Sequence, residues 1–345
     1  MARSKVDTRA SAIRGHGRVR VPLAGSLALA LALGPVGSTL AQDPSSGDGQ
    51  PSPPPFTAER YDIGGRSLFM ICVGPADSPL PTVIAEAPLG GDSSAFNELG
   101  GLLAQEDFRS CAYDRAGTGN SDPPPDGEGP GPGPVTLRDT AADLHALLSV
   151  AGIEPPYVLL PHSLGGWAAR VFTATYPEEV VGIVFIDSSH PDQVARRSAV
   201  LPPIRPDEDP GIAYARAGND ALATTSTGPS IGWLDLVTAA DEARASGDLG
   251  DRPVVVLTAD QELEQLPEPY RSRDAQAWLA MQHELASLST RGVQRTVADA
   301  GHFIQRDQPE AVVEALRDVQ SAIADGPGAW PGGEPGPAAS PTAAG

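Results

Sequence analysis

One serine lies where the chain passes abruptly from an apolar run into a helical pattern. Ser163 belongs to the segment PHSLGG (161–166), which follows the apolar run Tyr157–Leu160 and opens the helical stretch Leu164–Tyr176. A serine on a sharp strand-to-helix turn exposes its hydroxyl above the sheet edge, and the next main-chain N–H points into the same space. Such a turn strains the serine backbone and needs small neighbours, which the two glycines of the segment provide. The pattern predicts a nucleophilic serine, and an ordinary serine helix cap is the alternative.

That serine would have to be positioned by the strands and helices that the sequence predicts, in alternation, between residues 57 and 325. Continuous apolar strands separated by helices favour an α/β fold with a mostly parallel sheet covered on both faces. Residues 191–250 interrupt the alternation with loops and weak helical patterns, and we interpret them as an inserted lid. Strands are predicted over Arg60–Ile63, Ser67–Val73, Thr82–Ala87, Ser110–Tyr113, Tyr157–Leu160, Val180–Ile186, Pro253–Leu257 and Val293–Val297, and helices over Thr136–Val150, Leu164–Tyr176, Arg273–Leu288 and Pro309–Ile323.

With these elements in order, the chain resembles the α/β-hydrolase family over essentially all of 57–325. The nucleophile elbow of that family is G-x-S-x-G, and this chain reads P-H-S-L-G, with Pro161 in place of the first glycine. The resemblance implies two oxyanion N–H donors, Leu164 after the serine and Leu89 after the third strand. The segment YDRAGTGNSD (113–122) is similar to the family's loop after the fourth strand. Its Asp114 and Arg115 are interpreted as loop anchors.

The resemblance also assigns the catalytic base to His302, which follows the last predicted strand and precedes the closing helix. The family places its acid at either of two strand ends. We favour Asp187, because a carboxylate emerging from a buried strand needs hydrogen-bond partners and an imidazole N–H would serve. Asp260 and Glu262, after the strand that follows the lid, remain alternatives.

The function implied by the resemblance is carboxylic ester hydrolysis through an acyl-enzyme, on a small-molecule ester substrate. A serine nucleophile argues against epoxide hydrolase and haloalkane dehalogenase chemistry, which use an aspartate on this fold. Neither a metal nor an organic cofactor is required, and a monomer is expected. An aminopeptidase-like or other acyl-transfer hydrolase and a non-catalytic binding protein on the same fold are the alternatives.

The other histidines form no cluster with metal-ligand spacing. His162 adjoins the nucleophile and is placed at the pocket lining. We expect His145 within a helix, and His190 and His283 on the surface or the lid.

The chain has two cysteines, Cys72 and Cys111, both in apolar strand-like runs. In the sheet of the α/β-hydrolase family the second and fourth strands are neighbours, so the resemblance makes a disulfide feasible. Two buried thiols are the alternative.

The N-terminal segment has the order of parts found in a secretory signal. A basic stretch ends at Arg20, an apolar run follows to about Leu33, and Thr39-Leu40-Ala41 forms a small-residue cleavage site. We therefore predict a signal peptide over 1–41, with an uncleaved anchor as the alternative, and a Pro/Gly/Ser-rich linker over 42–56. The prediction is a secreted protein with no membrane attachment after cleavage.

Composition excludes several other classes. The chain has 345 residues with 38 glycines and 36 prolines, concentrated in the linker, in 122–134 and in a tail over 326–345 that is predicted to be disordered. The net charge of −20 opposes nucleic-acid binding, which needs a basic surface. Lys5 is the only lysine and lies in the predicted signal, so a Schiff-base lysine, a P-loop lysine and a Ser–Lys dyad are excluded from the mature chain.

Overall fold

The computed structural model describes residues 54–127, 131–223, 228–260 and 264–326. The predicted signal peptide, almost all of the linker, and the tail beyond Gly326 lie outside these residues. Within them, eight strands form one sheet in the order β1-β2-β4-β3-β5-β6-β7-β8. The strands are β1 Phe56–Asp62, β2 Ser67–Val73, β3 Thr82–Glu86, β4 Ser110–Tyr113, β5 Tyr157–Pro161, β6 Val180–Ile186, β7 Gly250–Ala259 and β8 Ser289–Val297.

The sheet is mostly parallel, as predicted. β2 runs antiparallel to β1 and to β4, and every other neighbouring pair is parallel. β7 and β8 are longer than the apolar runs suggested, because their pairing continues through polar residues such as Arg291 and Gln294. These residues lie at the sheet edge, where one side of a strand stays exposed and the apolar run is broken.

Helices cover both faces of the sheet. On one face α2 (Leu137–Val150), α3 (Gly165–Thr175) and α6 (Leu236–Ala245) share an apolar core with the strands, and on the other α1 (Asn97–Gln105) and α9 (Pro309–Asp325) do so. The remaining helices are α4 Gln193–Val200, α5 Pro210–Leu222, α7 Tyr270–Ser287 and the short α8 Ile304–Asp307. The sequence pattern predicted no helix at α1 or α8.

The start of α2 has a side-chain cap on each side of its first turn. Thr136 accepts a hydrogen bond from the Asp139 N–H at 3.1 Å, and the Asp139 carboxylate accepts the Thr136 N–H at 2.9 Å. This reciprocal capping box satisfies two N–H groups that no helical turn can reach.

The predicted lid differs from the structure in its last helix. α6 buries Leu236, Ala239 and Ala243 in the same core as α3, so it belongs to the layer that covers the sheet. Its apolar positions are small and widely spaced, which is why the sequence pattern there looked weak. Within the described residues, α4 contributes no side chain to that core, whereas Leu222 at the end of α5 packs against it.

The two cysteines are joined in a disulfide between β2 and β4. Cys72 and Cys111 lie directly opposite each other on this antiparallel pair, with their Cα atoms 4.0 Å apart. Both side chains are buried. The disulfide therefore links two neighbouring strands of the sheet across 39 residues of chain.

None of the helices in the described residues is long and apolar enough to cross a membrane.

Candidate active site

The strand-to-helix turn at Ser163 has the strained backbone that the sequence predicted. Ser163 has a φ of 54°, in the left-handed region that non-glycine residues seldom occupy. Two neighbouring strand ends hold the turn, because the His162 N–H donates to the Glu86 carbonyl at 3.0 Å and the Ser163 N–H to the Ile186 carbonyl at 3.1 Å. Hydrogen bonds to the ends of β3 and β6, the strands on either side of β5, thus hold the strained turn in place.

The glycines after Ser163 are required by close approach. A Cβ at Gly165 would lie 2.4 Å from the Glu86 carbonyl oxygen and 2.9 Å from that of Ala87. A Cβ at Gly166 would lie 2.8 Å from the Ser188 Cβ. Any side chain at either position would push α3 away from the strand ends and displace the serine.

Pro161 is accommodated at the end of β5. It is buried and pairs in register with Glu86 at the end of β3. The following residue, His162, supplies the N–H that reaches the Glu86 carbonyl. Proline lacks a ladder donor, but at a strand end its neighbour provides the missing link to β3.

Ser163, His302 and Asp187 form a continuous chain of hydrogen bonds. The His302 Nε2 lies 3.0 Å from the Ser163 Oγ, and the His302 Nδ1 lies 2.7 Å from the Asp187 Oδ2. The carboxylate can only accept, so Nδ1 carries the proton and Nε2 is free to accept the serine hydroxyl proton. This is the geometry of a general base next to an activated nucleophile.

The Asp187 carboxylate is buried and fully partnered. It is 4% exposed, and its Oδ1 accepts the Ala259 N–H at 3.1 Å and the Trp278 indole N–H at 2.9 Å. A desolvated carboxylate is costly unless it is hydrogen-bonded, and three donors meet that need here.

Asp260, the alternative acid that the structure describes, has different partners. The Asp260 carboxylate accepts the main-chain N–H groups of Asp299 at 3.0 Å and Ala300 at 3.2 Å. It therefore supports the loop that leads to His302. Glu262 lies outside the described residues.

The two candidate oxyanion donors lie at the elbow and in a tight turn after β3. Leu164 is the N-cap residue of α3, and the first N–H groups of a helix have no partner within it. Leu89 lies in the turn that Gly91 closes by donating to the Pro88 carbonyl at 3.1 Å. Gly90 has a φ of 67°, and a Cβ there would lie 2.6 Å from the Ser230 carbonyl oxygen, so this turn also requires glycine.

His162 lies beneath His302, not at the pocket lining. Its side chain is fully buried, its Nε2–H donates to the His302 carbonyl at 2.8 Å, and its Nδ1 accepts the Gln305 amide at 3.2 Å. Burial, followed by the electrostatic effect of the neighbouring His302 ring, lowers the pKa of His162 to about 4. His162 is therefore a neutral imidazole that holds the main chain of His302.

Sequence reasoning missed Trp278 and Gln305. Trp278 lies on α7, 91 residues beyond Asp187, and Gln305 lies 143 residues beyond His162. No local pattern marks either residue, because each acts through a partner that only the fold brings near. His190, expected on the surface or lid, is buried and accepts the Asp192 N–H at 3.1 Å.

A cavity of about 650 Å³ borders the Asp187 side of His302. Trp278, Leu279 and Ala275 give it an apolar wall, and Asp260, Glu264 and Arg197 add charged groups. Its volume is typical of a small-molecule site. In the part of the chain that the structure describes, no group of His, Cys, Asp and Glu side chains is arranged to hold a metal ion.

The sequence profile of the alpha/beta hydrolase family matches residues 87–315, which include the elbow, Asp187 and His302. The chain belongs to the alpha/beta hydrolase family. The fold, the strand order and the position of Ser163 after β5 agree with that membership, so the expected family resemblance is confirmed.

Several proteins resemble the chain at low sequence identity or over part of their length. An AB hydrolase superfamily protein of Gibberella zeae is 24% identical over 308 residues, covering 75% of this chain and 92% of that protein. A probable transporter of Hormonema carpetanum, efuK, is 36% identical over 132 residues, but the match spans only 18% of its length. The solved structure of a haloalkane dehalogenase variant from Bradyrhizobium elkanii has a TM-score of 0.55 and 17% identity, covering 78% of this chain and 98% of that chain. These similarities support the hydrolase fold and select no substrate.

Proposed function

We propose that this chain is a secreted serine hydrolase that cleaves carboxylic esters of small molecules through an acyl-enzyme intermediate. The observation that carries the proposal is the hydrogen-bonded chain from Ser163 through His302 to a buried, fully partnered Asp187.

The reaction would proceed in two steps. His302 Nε2 takes the hydroxyl proton while Ser163 Oγ attacks the acyl carbon, and the Leu164 and Leu89 N–H groups stabilise the oxyanion. His302 returns the proton to the leaving alcohol. A water molecule then repeats the attack on the acyl-enzyme, with His302 again as the base.

Asp187 would keep His302 in the productive tautomer. A carboxylate facing Nδ1 fixes the ring orientation and stabilises the imidazolium that forms as Ser163 attacks. The Ala259 and Trp278 donors hold this carboxylate in place. Asp260 would contribute indirectly, because its carboxylate holds the main chain of the loop before His302.

The substrate would be a small ester with an apolar portion. The cavity on the Asp187 side of His302 has an apolar wall of aromatic and aliphatic side chains and a volume that suits a small molecule, although Ser163 does not line it. The carboxylates that line the same cavity disfavour an anionic group close to the histidine. Ester cleavage is the default chemistry for a serine nucleophile with a histidine base, and the mechanism requires neither a metal nor a cofactor.

Export is the second part of the proposal. The order of basic stretch, apolar run and small-residue site in residues 1–41 supports it, although that segment lies outside the described residues. The disulfide between Cys72 and Cys111 supports it independently, because disulfides persist in oxidising compartments.

The assignment of Ser163 is tested with Ser163→Ala. We expect kcat for p-nitrophenyl acetate to fall by about 10⁶-fold, as for the serine of a protease triad, because no other group can form the acyl-enzyme. A fluorophosphonate probe should label wild-type protein on the peptide that contains Ser163 and should leave the variant unlabelled.

Ser188→Ala is the matched control, since Ser188 is a buried serine next to the elbow but outside the hydrogen-bonded chain. It should label and turn over ester like the wild type. Equal ester turnover by wild type and Ser163→Ala would show that the assignment is wrong. Absence of both labelling and turnover in the wild type would favour a non-catalytic binding protein.

A further inference from the structure

Arg115 connects the loop after β4 to the turn after β3. Its Nη1 donates to the Ala87 carbonyl at 2.8 Å, and its Nη2 donates to the Pro88 carbonyl at 2.6 Å. The same Nη1 lies 3.1 Å from the Glu86 Oε2. One guanidinium therefore binds three consecutive residues that end immediately before Leu89.

Glu86 is the counter-ion of the partly buried Arg115 guanidinium. Its side chain is buried, and its Oε1 accepts the Tyr113 hydroxyl at 2.6 Å. Burial raises the pKa of the Glu86 carboxyl, while the charge of Arg115 acts in the opposite direction. The ion pair thus joins a buried carboxylate to a partly buried guanidinium, which also donates to two main-chain carbonyls.

The contact with Pro88 fixes the direction of the next N–H. The Pro88–Leu89 peptide bond is trans, so its C=O and N–H point in opposite directions within one plane. Because the Pro88 carbonyl is held against Arg115 and the Gly91 N–H, the Leu89 N–H must point away from both. The neighbouring backbone cannot rotate freely either, since Gly165 of the elbow packs against the Glu86 and Ala87 carbonyls.

We infer that Arg115 is a positioning residue for the oxyanion hole, orienting the Leu89 N–H through the Pro88 carbonyl. The inference rests on the proposed function, in which that N–H stabilises the oxyanion. Preorganised donors are effective because they need no reorientation during the reaction. A Leu89 N–H that could rotate would bind water or protein in the ground state, and it would have to reorient during the reaction.

The planar guanidinium is essential to this role. Its two Nη groups bind two successive carbonyls at once, whereas a lysine ammonium is a single point donor on a flexible stem. Arg115→Lys therefore keeps the positive charge beside Glu86 while it loses the two-point hold on the turn.

The test is the steady-state kinetics of Arg115→Lys, normalised to active sites titrated with the fluorophosphonate probe. We expect kcat for p-nitrophenyl acetate to fall by about 10- to 100-fold with little change in KM, somewhat less than the 10²- to 10³-fold loss for a deleted oxyanion donor. A sulfur anion fits an oxyanion hole poorly, so an intact hole favours p-nitrophenyl acetate over its thionoester. A misoriented Leu89 N–H weakens this preference, and the ratio of the two kcat values should therefore fall by about tenfold in the variant.

Arg216→Lys is the matched control. Arg216 also binds a glutamate and a proline carbonyl, Glu208 and Pro202, but it lies on α5 and contacts no residue of the 86–91 segment. It should leave both kcat and the thionoester ratio unchanged.

If Arg115→Lys does not fold, the double variant Glu86→Gln/Arg115→Met replaces it, since it leaves no unpaired buried charge. It should show the same two losses. Unchanged kcat and thionoester ratio in either Arg115 variant, with only a lower melting temperature, would overturn the inference and leave the proposed function standing. A wild type that neither labels nor turns over ester would overturn the proposed function and the inference with it.

Discussion

At the scale of single residues, two histidines with rings 4.7 Å apart have opposite environments. The His302 side chain is 45% exposed and faces Ser163, whereas His162 is fully buried beneath it. Gln305 donates to the Nδ1 of His162, which leaves its Nε2–H for the His302 carbonyl. The buried ring must stay neutral to keep both contacts, because a protonated Nδ1 would face the Gln305 amide donor.

This arrangement predicts a loss of stability at acidic pH. The unfolded chain binds a proton at His162 near its ordinary pKa of about 6.5, whereas the folded chain does so only near the lowered pKa of about 4. Stability is therefore complete above about pH 6.5 and decreases as the pH falls towards 4, by about 3 kcal/mol for this one group. Urea unfolding of wild type and His162→Gln at several pH values should show the two free energies of unfolding converging by that amount.

His283→Gln is the control, because it removes an exposed imidazole from the same fold. Its free energy of unfolding should follow the wild type across the range. Parallel profiles for wild type and His162→Gln would contradict the assignment of His162 as a buried neutral group.

At the scale of elements, the carboxylate that contacts His302 comes from the end of β6, and three other elements converge on it. β7 supplies the Ala259 N–H, α7 supplies the Trp278 indole, and the loop after β8 supplies His302. The neighbouring strand end carries Asp260, whose two oxygens are occupied by the loop before His302. The two carboxylates thus have different tasks on adjacent strands: one contacts the imidazole and the other shapes the loop that carries it.

The kinetics of Asp187→Asn and Asp260→Asn separate these tasks. We expect Asp187→Asn to lower kcat by about 10⁴-fold, as in the protease triad, because the amide favours the wrong histidine tautomer. Asp260→Asn should lower the free energy of unfolding by about 1–2 kcal/mol through its weakened main-chain contacts and should leave kcat close to wild type.

The measurements are kcat for p-nitrophenyl acetate per labelled site and urea unfolding of each variant. The opposite order, with kcat lost in Asp260→Asn and retained in Asp187→Asn, would assign the acid to β7.

At the scale of the whole molecule, one disulfide links β2 to β4 near the edge of the sheet. A bridge closing 39 residues lowers the entropy of the unfolded chain and stabilises the fold by about 4 kcal/mol in the chain-entropy description. Such a bridge forms only where the compartment is oxidising, so the disulfide and the N-terminal targeting pattern point to the same location. The acidic surface is compatible with a secreted protein and carries no information about the substrate.

Intact-mass analysis of secreted protein tests both features together. After alkylation without reduction, we expect a chain that begins at Gln42 and carries no alkyl group, and after reduction two alkyl groups on Cys72 and Cys111. A chain that begins at Met1 or Ala2 would refute cleavage after export, and two alkyl groups without reduction would refute the bridge.

The amino-acid sequence determined those features whose physical causes are local. Ser163 lies between an apolar run and a helical pattern and is followed by Gly165 and Gly166. This local pattern predicted a strained strand-to-helix turn. The alternation of apolar runs and amphipathic stretches predicted a covered, mostly parallel sheet. The position of Cys111, two residues before the loop that resembles the family, made the disulfide feasible but left it open.

Only the tertiary structure decided which residues cooperate across distant elements. It selected the Asp187 carboxylate for His302, gave Asp260 to a loop, and brought Trp278 and Arg115 to the site. It also placed α6 in the layer over the sheet, where its small apolar residues pack on α3. These outcomes depend on which groups are buried together and must satisfy each other's hydrogen bonds. That requirement arises only when the chain is folded, so no spacing along the sequence could express it.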